Sequence, residues 1–312
     1  MHKRILGRTG LRLSELGLGT WGLAAESYGP IREGAFRDTV EAAIQAGVTT
    51  FDMAPIWGDG LAERQVAEVV GSRRSSMIYV TRCGARWADG ELQQSYSPEA
   101  ITADAQASLE RLETDSIDVL LLHAPSREVL RQAAYKPALL GLQTAGKLRT
   151  WGACVRDLET GRAAIEAGAA VISLPYNLLE SDLLEDLHDD LRKAGVGVLT
   201  SSPLLYGMLG GTWTERRTFS PGDHRSARWE PEAFVQRVRT VDQLRFLVRG
   251  EVSTMASAAL RYVLSSSLVT TAMLGARSPR QITRAAANAG RPPYLPDEDI
   301  VRITQTLSAI GT

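Results

Sequence analysis

"TFDMAPIWGDGLAE", residues 50–63, passes from a β-rich apolar run through a Pro/Gly loop into the start of a helical pattern. Runs of the same kind recur: ELGLGT (15–20), TTFDMA (49–54), MIYVTR (77–82), SIDVLLLH (116–123), RTWGACV (149–155), AVISLPYN (170–177), VGVLTSS (196–202) and VTTAMLG (269–275). Most are separated by apolar residues at helical spacing, as in Phe36, Val40, Ala43 and Ile44, or Ile101, Ala105, Leu109 and Leu112. Helix ends are readable too. Ser97 followed by Pro98 and Glu99 is a capping signal, and Gly47, Gly146, Gly168 and Gly195 stand where helices need a left-handed residue. Eight strand-helix alternations without a composition break predict a closed α/β structure, a (β/α)8 TIM barrel, as a single domain over residues 1–312. An open dinucleotide-binding sheet fits less well, because no G-x-G-x-x-G follows the first run.

Three additions depart from the minimal barrel. KRILGRTGLRLSE (3–15) suits an N-terminal hairpin over the barrel floor. Between the seventh and eighth strands, PLLYGMLGGTWTERRTFSPGDHRSARW (203–229) is too long for a passive connection and is expected to lie over a ligand. A C-terminal amphipathic helix is expected in PDEDIVRITQTLSAI (296–310).

Composition narrows the functional classes. The chain is 44% hydrophobic and 23% charged, ordinary for a globular protein, and its formal net charge of -1 supplies no basic field for nucleic acid. Two cysteines, Cys83 and Cys154, have no zinc-like spacing and suit a reducing compartment. A cytoplasmic protein acting on a small molecule, with no nucleic-acid or membrane partner and no metal, is the expectation. Oligomeric state is not readable.

In a barrel of this kind chemistry sits at the C-terminal ends of the strands. There the chain puts Asp52, Arg82 and His123, polar groups emerging from apolar runs where an unpaired charge is costly. Their convergence at three successive strand ends marks them as catalytic candidates. An imidazole at such a place is expected to titrate near neutrality and exchange protons. Tyr28, Trp57 and Trp87 fall on neighbouring loops and are candidate substrate contacts, with Arg86, Arg127, Tyr206, His224 and Trp229 as weaker ones.

At these residues the chain resembles the aldo-keto reductase superfamily over nearly its whole length. The resemblance rests on LGRTGLRLSELGLGTWGL, FDMAPIWGDGLAE, LLLHAP, LPYNLLE, SPLLYGMLGG, GDHR and LGARSPRQI, in the family's order and spacing. It implies a barrel that binds NADPH or NADH in extended form and moves hydride to or from a carbonyl carbon. It also implies a tetrad of aspartate, tyrosine, lysine and histidine. Asp52 and His123 match that tetrad; Trp57 stands for the tyrosine and Arg82 for the lysine. An indole N–H is too weak an acid to hand over its proton, and a guanidinium stabilises an anion without relaying protons.

The resemblance also assigns cofactor contacts. Cys154, Val155 and Ser173 occupy positions that commonly hold the nicotinamide amide, so hydrogen-bonding capacity there is reduced. Arg277, Ser278 and Gln281 lie in the segment used for the adenosine phosphate and adenine, with Ala285 replacing a frequent asparagine, and Gly207 belongs to the loop after the seventh strand. NADP binding is therefore expected to be weak or absent. The altered tetrad favours redox-neutral acid/base chemistry on a sugar or specialised metabolite, by a dehydratase, lyase or epimerase. An NADPH-dependent carbonyl reductase or alcohol dehydrogenase with a changed proton donor is the alternative. A non-catalytic sensor or scaffold is a third reading.

Overall fold

The computed structural model describes residues 1–24 and 26–310. In chain order its strands are β1 (Lys3–Ile5), β2 (Arg12–Ser14), β3 (Leu16–Gly19), β4 (Thr50–Asp52), β5 (Ile78–Cys83), β6 (Ala85–Ala88) and β7 (Glu91–Gln94). They continue with β8 (Ile117–Leu122), β9 (Leu148–Cys154), β10 (Val171–Pro175), β11 (Gly197–Ser201) and β12 (Val269–Leu274). β3, β4, β5, β8, β9, β10, β11 and β12 close a parallel barrel in sequence order. Each of the eight expected runs supplies one of these strands.

The period-two alternation of a strand sorts the residues into two cores. Ile78, Val80, Val119, Leu121, Val171, Leu199 and Met273 fill the barrel interior. Their chain neighbours Phe51, Tyr79, Leu120, Leu122, Ile172, Val198 and Leu274 face the surrounding helices. The antiparallel β1–β2 hairpin closes the bottom and sends Leu6, Leu11 and Leu13 into the interior cluster. Each of these leucines contributes about 2 kcal/mol by burial. Gly7 allows that closeness: its φ is +46°, and a Cβ there would lie 2.3 Å from the Gly197 nitrogen.

The helix ends follow the sequence signals. Ser97 accepts a hydrogen bond from the Ala100 N–H at the start of helix Pro98–Arg111, and Gly47, Gly146, Gly168 and Gly195 all have positive φ. The C-terminal helix runs Asp297–Ile310. The long segment after β11 is more structured than expected, with 3-10 turns at Leu205–Gly210 and His224–Ala227 before helices Pro231–Gln243 and Met255–Ser265. A second hairpin, β6–β7, was not anticipated, although its Asp89-Gly90 turn, with φ of +54° and +80°, is a strong two-residue hairpin signal. Among the described residues no helix is long and apolar enough to cross a membrane.

Candidate active site

The inward alternation that fills the barrel with aliphatic side chains turns polar at its C-terminal end. Thr50 is followed inward by Asp52, Val80 by Arg82 and Leu121 by His123, so the three expected residues meet at one mouth and line one cleft. Arg82 grips Asp52 with both terminal nitrogens: Nη1 donates to Oδ1 at 2.7 Å and Nη2 to Oδ2 at 3.1 Å. Nη1 also donates to the Met53 carbonyl at 2.6 Å. Both side chains are buried. Burial pushes the Asp52 carboxyl above its usual range against the pull of Arg82. Burial also works against the Arg82 charge, but Asp52 and Cys154 outweigh it, so the guanidinium stays charged.

His123 differs from its expected behaviour. Burial first, then the charges of Arg82 and Arg156, lower its imidazole from 6.5 to about 4. It is therefore neutral at pH 7, a proton acceptor or neutral hydrogen-bond donor rather than a ready acid. Its Nδ1 is buried and has no hydrogen-bond partner among the described residues, so none of them fixes its tautomer through that atom. Its backbone is held instead: the carbonyl accepts from the Tyr96 hydroxyl at 2.5 Å and from Gln94 Nε2 at 3.1 Å.

The loop after β4 carries Trp57 onto Arg82, whose guanidinium carbon stands 4.5 Å from the ring centroid. Gly58 lets this loop press against the chain at Ala24, since a Cβ there would be 2.3 Å from that carbonyl oxygen. Tyr28 also lines the cleft, packed against Trp21 and His224. Trp87 is a correction. It is 51% exposed, is absent from the cleft lining, and donates Nε1–H to the Ile56 carbonyl at 2.9 Å. It braces the Trp57 loop from outside. Of the weaker candidates, Tyr206 lines the cleft, whereas Arg127 pairs with Glu159 on the surface.

The cleft has a volume of about 1550 Å³ and continues from the mouth along the ends of β11 and β12 to helix Pro279–Asn288. That exceeds the roughly 300–1,000 Å³ of a pocket for one drug-sized ligand. Gly207, Ser173, Cys154, Arg277 and Gln281 all line it. Ser278 does not; its hydroxyl caps helix Pro279–Asn288 by accepting from the Gln281 N–H. Arg277 is less available than the sequence suggested, because its guanidinium donates to the carbonyls of Gly22, Tyr28, Gly29 and Pro30. Arg156 and Arg284 also line the cleft, both exposed and without a side-chain partner among the described residues. Neither stood out in the sequence. A single arginine just beyond a strand, or inside RQITRAAAN, looks like surface until the barrel closes.

The Aldo/keto reductase family model matches residues 15–307. The chain belongs to the aldo/keto reductase family. It is 29% identical to Aldo-keto reductase YhdN of Bacillus subtilis over 290 residues, covering 90% of this chain and 87% of that protein. It is also 29% identical to the NADH-specific methylglyoxal reductase of Escherichia coli over 308 residues, covering 92% and 93%. Among solved structures, the glycerol dehydrogenase AKR11B4 from Gluconobacter oxydans superposes with a TM-score of 0.86 at 25% identity, covering 98% of this chain and 95% of that one. Within this aldo/keto reductase, Arg82 holds Asp52 and lies against the Trp57 ring at the mouth that His123 also lines.

Proposed function

We propose that this chain is a nicotinamide-dependent oxidoreductase that interconverts the carbonyl and alcohol forms of a small oxygenated substrate. The observation that carries the reading is Arg82, held charged by Asp52 beside His123 at the base of a cleft large enough for a dinucleotide and a substrate. The methylglyoxal reductase and glycerol dehydrogenase among its relatives weigh in the same direction. They favour this reading over redox-neutral dehydration, elimination or epimerisation.

The cleft fits a dinucleotide on two counts. Gly275, at the end of β12, lines it and has nothing within 4 Å of where a Cβ would project, leaving room for close approach to the backbone. Arg284 supplies an uncommitted cation farther along, beside Gln281 and Asn288. At the other end Ser173 and Cys154 offer fewer hydrogen bonds for an amide. When bound, the reduced nicotinamide would supply hydride to a carbonyl carbon. The protein's part is electrostatic and protonic. Arg82 stabilises negative charge developing on the carbonyl oxygen, Asp52 fixes the guanidinium, and His123 lies beside them to exchange the proton. Trp57 covers Arg82 and excludes water from it.

Purified protein assayed with NADH and with NADPH against small aldehydes and ketones should show carbonyl-dependent loss of reduced-nicotinamide absorbance. His123→Ala should reduce the rate on the order of a hundredfold. Folded protein that consumes neither dinucleotide with any member of the panel would sink the reading. Substrate turnover without dinucleotide would instead support the redox-neutral chemistry suggested by Trp57 and Arg82.

A further inference from the structure

We propose that the mouth selects substrates bearing a carboxylate directly on the reacting carbonyl carbon, with Arg156 as the carboxylate contact and 2-oxo and 2-hydroxy acids as the substrate class. This deepens the oxidoreductase reading and rests on it for the carbonyl chemistry. Three adjacent strands carry the argument. Arg82 on β5 pairs in register with Leu121 of β8, and His123 is the next inward residue beyond Leu121. Leu121 in turn pairs with Gly152 of β9, beyond which the same parity gives Cys154 and then Arg156. All four of Arg82, His123, Cys154 and Arg156 line the cleft. In this register His123 is one strand from Arg82 and one strand from Arg156, which lies just beyond the end of β9.

The two cations are not equivalent. Arg82 is neutralised by Asp52, whereas Arg156 has no ion pair or hydrogen bond of its side chain among the described residues. The adjacent Asp157 is engaged elsewhere: its carboxylate caps the following helix by accepting from the Thr160 N–H at 2.8 Å. Of the seven arginines lining the cleft, Arg82, Arg225 and Arg237 pair with Asp52, Asp223 and Glu180, and the positive charge that remains in excess suits an acid substrate. Arg156 stands one strand over from His123 and two residues farther out, so an anion on the carbon flanking the carbonyl can face it while the carbonyl oxygen meets the imidazole.

A substrate carboxylate would also address the missing phenol. Negative charge placed beside Arg156 offsets the arginine fields that add to the burial of His123, so the bound acid favours the imidazolium. In the reductive direction a bound reduced dinucleotide would supply hydride to the carbonyl carbon, and the oxygen would take the His123 proton. The products are a 2-hydroxy acid, the oxidised dinucleotide and a neutral imidazole that takes its next proton from solvent.

Three ketones sharing a hydroxyacetyl group separate the possibilities: hydroxypyruvate, dihydroxyacetone and dihydroxyacetone phosphate. Hydroxypyruvate should have a KM at least about tenfold below that of dihydroxyacetone, and Arg156→Gln should collapse most of that ratio. Calorimetric titration without dinucleotide reads the same subsite in the absence of turnover. At pH 6, in buffers of different ionisation heat, hydroxypyruvate binding should take up protons in the wild type and not in His123→Gln. Binding and proton uptake without turnover would leave the subsite standing and remove the oxidoreductase reading. Equal use of hydroxypyruvate and dihydroxyacetone would overturn the proposal and leave that reading intact. Preference for dihydroxyacetone phosphate, or an Arg156→Gln loss confined to dinucleotide affinity, would also overturn it.

Discussion

Arg82 places its guanidinium carbon 4.5 Å from the centroid of the Trp57 ring while both of its terminal nitrogens hold Asp52. The indole and the guanidinium are therefore one unit. A cation over an aromatic face contributes about 0.5–2 kcal/mol, more when desolvated. The planar fork that grips the carboxylate is also the shape that stacks on the ring, and a lysine would satisfy only one of these contacts well.

This coupling predicts that the two replacements act together. Trp57→Tyr alone should give no increase in carbonyl reduction, because the phenol gains a neighbouring cation that cannot relay a proton. Arg82→Lys alone should lose the fork. The double variant should exceed the product of the single effects, with a coupling energy of about 1–3 kcal/mol. The measurement is a cycle of kcat/KM values for the four proteins on one aldehyde. Strictly multiplicative effects would show that Trp57 and Arg82 are independent.

Asp52→Asn tests the pair from the other side. The substitution leaves Arg82 buried without its counter-charge, and losing one partner of a buried pair costs about 3–5 kcal/mol. Asp52→Asn/Arg82→Met removes the stranded charge and should recover most of the stability without recovering activity. Urea unfolding of the three proteins decides it: a double variant no more stable than Asp52→Asn would mean that the loss comes from packing.

How far the sequence could be read depended on whether a feature was local. Barrel strands and helix caps announce themselves within a few residues, which is why the eight barrel strands and the Ser97 cap match expectation. Asp52, Arg82 and His123 were legible because charge at the end of an apolar run is expensive unless it has a purpose. The environment of His123 was not, since its depressed basicity arises from burial in the closed barrel mouth and then from the charges of Arg82 and Arg156, which come from other parts of the chain. Trp87 misled for a similar reason: the carbonyl that accepts from it belongs to a loop remote in sequence.

The lowered His123 imidazole has a consequence for stability. In the unfolded chain it takes up a proton near 6.5, whereas the fold resists protonation until about pH 4. Protons thus bind the unfolded state more readily in that window, and stability falls as pH drops from about 6.5 to 4, by on the order of 3 kcal/mol from this group. His224, also lowered to about 4, acts in the same window. His123→Gln should flatten part of the decline in urea midpoint between these pH values, and His123→Gln/His224→Gln more of it. An unchanged slope in His123→Gln would place the imidazole in water.

The last expectation separates two arginines in the cofactor half of the cleft. Arg277 donates to carbonyls of Gly22 and of residues 28–30, so Arg277→Ala leaves several acceptors to find water and should loosen that loop before it affects any ligand. Faster amide exchange in residues 22–30 and a stability loss of about 1–3 kcal/mol are expected without dinucleotide present. Arg284 holds no such contacts, so Arg284→Ala should leave stability and exchange unchanged. Its effect should fall on dinucleotide affinity, weakened about tenfold and accompanied by a shallower salt dependence, as loss of one phosphate-facing charge requires. Hydrogen exchange of the free proteins and calorimetric titration with NADH and NADPH distinguish these outcomes. If Arg277→Ala weakens binding without loosening residues 22–30, the carbonyl contacts are not what occupies it and the phosphate role expected from the sequence returns to Arg277.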